Sequence, residues 1–85
     1  MTQNVRIYKE AETELIALYR FGVAGLPMGR LSLRKVDGLV EELVPVLHPQ
    51  GREIYAQAFR QLLDHWARNE YPDMTYAAAG DGSTS

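Results

Sequence analysis

The sequence predicts an all-α domain of three helices, and three observations carry that expectation. Between Pro49 and Pro72 the residues Ile54, Tyr55, Ala58, Phe59, Leu62 and Trp66 recur at helical spacing. Near the N-terminus Tyr8, Ala11, Leu15, Leu18 and Gly22 alternate by three and four, the spacing of a helix seam. Between these stretches Val36, Leu39, Val40, Leu43 and Leu47 form a third apolar face behind Ser32, a good N-cap.

The first helix is expected over about residues 7–23. Ile16, Tyr19 and Val23 form a second apolar row beside its seam, and its acidic residues lie in the first half with Arg20 near the end, as the helix dipole favours. Gly22, Gly25, Pro27 and Gly29 then break the chain, and the loop they make carries apolar Leu26 and Met28. The second helix is expected over about 32–44. Gly38 weakens it by about 1 kcal/mol relative to alanine, and Pro45 ends it by removing a donor and clashing with the preceding turn. The third runs over about 49–71, opened by Pro49 at a favoured first position and stopped by Tyr71-Pro72. These make one helical domain, 1–73. Residues 74–85 have no periodicity and read as a disordered tail, so removing Thr75 to Ser85 is expected to leave the melting temperature nearly unchanged.

At 85 residues, 46% of them hydrophobic, the chain is too apolar for disorder and too short to bury everything alone. The apolar faces of the first and third helices are wider than one seam, so a helical homodimer is expected, held by Leu15, Leu18 and Tyr19 with Tyr55, Phe59 and Leu62. Net charge is −2, with nine basic and eleven acidic residues, which weighs against nucleic acid as a partner. There is no cysteine, which excludes disulfides and thiolate metal sites. The first residues are polar and do not read as a secretory signal. No run approaches the roughly 18 apolar residues of a membrane span. A cytoplasmic home is therefore expected, and seven arginines against two lysines fit a GC-rich bacterial or phage genome.

No motif points to catalysis. His48 sits in a turn, and His65 has Gln61 and Asn69 at its helical neighbours, where a metal would need His, Asp or Glu. Glu10, Glu12 and Glu14 fan around a helix with no pocket to tune them. No phosphate loop or nucleophile motif is present, so no enzyme activity, cofactor or metal is expected. The expected function is a small regulatory protein-binding module: an adaptor or inhibitor, for example an antiactivator that sequesters a larger regulatory protein. Its expected surface is Leu26 and Met28 in the Gly-Pro loop, Trp66 and Tyr71 as aromatic anchors, and Arg30 and Arg34 as rim charges. The alternative is a small DNA-binding transcriptional regulator using Arg30, Arg34 and Lys35 at the start of the second helix. That stretch has the look of a recognition helix, but the residues upstream do not fit the turn such a motif requires.

Overall fold

Val5 and Ile7, then Ala17, Tyr19 and Phe21, then Leu31 and Leu33 are buried at every second position, with their neighbours facing the other way. That is the period of a strand. The computed structural model describes residues 4–78. They form β1 (Asn4–Glu12), β2 (Ile16–Gly22), β3 (Gly29–Arg34), β4 (Val40–Val44), α1 (Gly51–Ala67) and β5 (Met74–Ala78). The strands make one antiparallel sheet in the order β4-β3-β2-β1-β5, and α1 covers one of its faces.

The all-α helical bundle is thereby overturned. Residues expected as the first helix form the β1–β2 hairpin, and those expected as the second form β3, a tight turn and β4. Among the described residues one helix is present, within the span expected for the third. The physical reason is parity. Ala17, Tyr19, Phe21 and Val23 all bury their side chains against α1, which a strand achieves and a helix cannot. β5 occupies the first five residues of the segment expected to be a disordered tail, while residues 79–85 lie outside the described residues.

Each connection has a local cause. In the β1–β2 turn the Thr13 hydroxyl accepts from the backbone N–H groups of Leu15 and Ile16, both at 3.1 Å. In the β2–β3 turn Leu26 N–H donates to the Val23 carbonyl, with Gly25 at φ 86° supplying the left-handed residue. The β3–β4 turn is Asp37-Gly38, a hairpin signal in its own right. Asp37 accepts two hydrogen bonds from the Arg34 guanidinium and one from Leu39 N–H, and Gly38 sits at φ 74°.

α1 lays Ile54, Ala58 and Leu62, one residue per turn, on the sheet. The core lies between, with Tyr19, Phe21, Ile7 and Leu31 fully buried. Gly29 is small by necessity. It pairs with Phe21, and a Cβ there would meet both the Phe21 ring and the Val44 carbonyl. The helix ends in a Schellman motif. Glu70 N–H donates to the His65 carbonyl and Asn69 N–H to the Trp66 carbonyl, with Asn69 at φ 59°.

The link from α1 to β5 is latched by a polar cluster. Lys9 Nζ donates to the Tyr71 carbonyl at 2.9 Å and pairs with Glu12 and Asp73. Lys35 meets Glu12 at 2.5 Å and stands 4.6 Å over the Tyr71 ring. Two lysine hydrogen bonds, that of Lys35 the larger, hold the Glu12 carboxyl down to about 2. The Tyr19 hydroxyl donates to the Pro72 carbonyl, and burial pushes it up to about 12.

Candidate functional site

A helix on one face leaves a sheet three further surfaces: the open face and the two edges. Cross-strand pairing fixes what the open face displays, because directly paired residues share a face. Met74, Tyr8, Arg20, Arg30 and Val44 form one row across all five strands. Arg6 pairs with Tyr76 in the next row. The two like charges Arg20 and Arg30 lie directly opposite each other, and Glu10 reconciles them. The β1 register shifts between Lys9 and Ala11, which leaves Glu10 as the extra residue of a bulge. Its carboxylate lies 3.0 Å from Arg30 and 4.0 Å from Arg20. Arg34, at the edge of this face, is tied to Asp37 at 2.8 Å.

The β4 edge is different in kind. Eight large apolar side chains are exposed among the described residues, and four of them lie on or beside β4. Leu39, Leu43 and Val44 belong to β4 or adjoin it, and Leu47 follows in the connection to α1. Leu15 and Val36 stand on neighbouring turn tips, which are tied by the hydrogen bond from Lys35 N–H to the Leu15 carbonyl. Leu47 and Val36 are each 81% exposed, the highest among these eight. The other two, Met74 and Tyr76, are on β5.

β4 is also an edge strand, so half of its backbone N–H and C=O groups point away from β3 with no ladder partner among the described residues. The β3–β4 register shifts after Arg30, which makes Leu43 the extra residue between paired Glu42 and Val44. Beside the edge, on the helix side, an open hollow is lined by Glu42, Val46, His48, Arg52 and Tyr55. Burial, and secondarily the Glu42 carboxylate, raises the Tyr55 hydroxyl. Pro45 and Pro49 stiffen the rim of this hollow, and Gly51 allows α1 to start hard against the Val46 carbonyl.

The surface expected from sequence is not assembled in one place. Arg30 and Arg34 are on the open face, each in an ion pair. Trp66 is half-buried on the helix side, stacked on Gly38 with its Nε1–H donating to the Lys35 carbonyl at 2.8 Å. Tyr71 packs against the core beneath Lys35. Leu26 is half-buried on the core, and Met28 lies against Gly22. The residues expected to form a dimer interface are also dispersed. Tyr19 and Leu62 lie in the chain's own core, Tyr55 and Phe59 stack on α1 with ring centroids 6.0 Å apart, Leu18 faces the open side and Leu15 is at a turn tip. The trio Arg30, Arg34 and Lys35 is split across both faces of the sheet, and no recognition helix carries it.

One cluster has catalytic-looking geometry. His65 Nε2 lies 3.2 Å from Thr75 Oγ1, and its Nδ1 lies 2.9 Å from Glu70 Oε1. The same Nε2 also meets Gln61 at 3.1 Å, and Arg68 crowds Nδ1 at 3.2 Å. Every edge of the ring is thus engaged, and the contacts fasten the end of α1 to β5. Among the described residues no group of three His, Asp or Glu is placed to hold a metal ion. No helix of the described residues is long and apolar enough to cross a membrane.

The signal for the β4 margin was present in the sequence as Leu39, Leu43 and Leu47. A spacing of four serves one face of a helix equally well. No family model, no curated protein and no solved structure matches this chain.

Proposed function

We propose that this chain is a small regulatory module that binds a larger protein through the β4 margin. One observation carries the reading: Leu39, Leu43, Val44 and Leu47, half of the exposed large apolar side chains among the described residues, lie on or beside one edge strand. Isolated exposed apolar residues are ordinary, whereas a contiguous patch marks an interaction surface. A protein partner would remove Leu39, Leu43, Val44 and Leu47 from water and satisfy the free side of β4 at the same time. The ion pairing of the open-face arginines supports a protein partner over nucleic acid, since only Arg6 of the face lacks an acidic partner among the described residues.

The test is co-purification from the native cell with a tagged chain, comparing wild type with Leu39→Lys/Leu43→Lys. Both positions are exposed, so circular dichroism should be unchanged. The partner retained by wild type should be lost from the double variant. Equal retention by both chains would reject the β4 margin as the binding surface.

A further inference from the structure

The β4 margin offers two things together, apolar side chains and an unpaired strand backbone, and the charges beside them narrow the occupant. Glu41 and Glu42 sit in the middle of β4, both exposed. Glu10, Glu12 and Glu70 each meet a basic side chain, whereas Glu41 and Glu42, like Glu14 and Glu53, have no ion pair among the described residues; Glu41 acts only at longer range on Arg34, which is held by Asp37. Ser32 lies opposite Glu41, and the hollow opens beside Glu42. Two adjacent carboxylates on one edge strand point to opposite faces, so a neighbouring strand would meet both.

We propose, building on the protein-binding reading above, that β4 accepts an extended segment of a different protein as a sixth strand. The segment carries two adjacent basic residues opposite Glu41 and Glu42 and apolar residues opposite Leu43 and Val44. Backbone pairing supplies the affinity common to strand addition, and the side chains supply selectivity. The residue beside Glu42 shares its face and lies over the hollow formed with Val46, His48, Arg52 and Tyr55. The residue beside Glu41 lies on the open face. A second copy of this chain is the poorer occupant. Antiparallel pairing of β4 with itself, Val40 against Val44, sets Glu42 directly opposite Glu42, and like charges there destabilise the pair. Pro45, next along the strand, has no N–H to donate.

The experiment titrates the isotope-labelled full chain with two capped heptapeptides, TVVKKVT and TVVEEVT, up to millimolar concentration. Nuclear magnetic resonance follows amide shifts and hydrogen exchange. TVVKKVT should shift amides of residues 39–47 and slow exchange at alternate positions of β4. TVVEEVT should bind about tenfold more weakly, from two lost cross-strand attractions and two added repulsions. In Glu41→Lys/Glu42→Lys the preference should reverse. Absence of binding by either peptide, or binding without charge preference, overturns the proposal. So do shifts confined to the open face, and so does a wild-type dimer in sedimentation whose β4 amides are already protected. Shifts at Leu39, Leu43 and Leu47 without slowed β4 exchange would defeat strand addition while leaving the protein-binding reading intact. That reading fails separately, if Leu39→Lys/Leu43→Lys keeps its native partner.

Discussion

Gly38 is held at φ 74°, and a Cβ built on it would lie 3.0 Å from three atoms of the Trp66 ring. Gly38→Ala therefore combines backbone strain with a clash against a ring that is itself hydrogen-bonded in place. A loss of about 2 kcal/mol is expected, read from the urea midpoint at constant slope. The opposite outcome is expected at Asn69, the left-handed residue of the helix cap, where Asn69→Gly should raise stability by about 0.5 kcal/mol. Glu12 gives a pH dependence. Its folded carboxyl titrates at about 2 against an ordinary 4.5, so its contribution is complete above about pH 4.5 and is lost as pH falls toward 2. Between those limits the urea midpoint of wild type should fall more steeply than that of Glu12→Gln. At this scale much was legible: Asp37-Gly38 is a turn dipeptide whichever elements flank it. Placed in a helix interior, Gly38 costs about 1 kcal/mol relative to alanine, and that local conflict is the sign against a helix there.

Among the elements, α1 announces itself because Ile54, Ala58 and Leu62 form its stripe against the sheet without interruption. β2 was equally visible in its strict alternation of Ala17, Tyr19, Phe21 and Val23. β1 was concealed by its bulge. Val5, Ile7 and Lys9 face α1, then Glu10 takes an extra step, and Glu12 faces α1 in their place. A parity change inside a strand removes the period-two signal and happens to create spacings of three and four. β4 was hidden for a different reason. It is an edge strand with a bulge of its own, so VEELV shows no alternation. The candidate site shares that obscurity, since the features that make β4 available to a partner are those that blur its pattern. Trp66 joins two elements across the sheet end. Trp66→Phe should cost about 1 kcal/mol through loss of the bond to the Lys35 carbonyl. It should leave partner binding at the β4 margin unchanged, as titration against a captured partner would show.

For the molecule as a whole, β5 is the element that sequence reading placed outside the fold. Thr75, Tyr76 and Ala77 look unremarkable because β5 is short, with a single buried residue on its inner face. Its contribution comes from pairing with β1 along Asn4–Tyr8 and from the Thr75 contact with His65. Ending the chain after Asp73 should therefore lower the melting temperature by at least about 10 °C, contrary to the expectation for a tail. An unchanged value by calorimetry would show that the sheet is complete with four strands. The order β4-β3-β2-β1-β5 also has a meaning in time. Tyr8 pairs with Met74, 66 positions later, while every other strand pairing joins neighbours in sequence. During synthesis β1 to β4 and α1 leave the ribosome before the strand that caps β1. Until residues 74–78 emerge, the nascent sheet is edged by β1 and β4. Their arrival moves one edge outward from β1 to β5, while β4 bounds the other edge before and after.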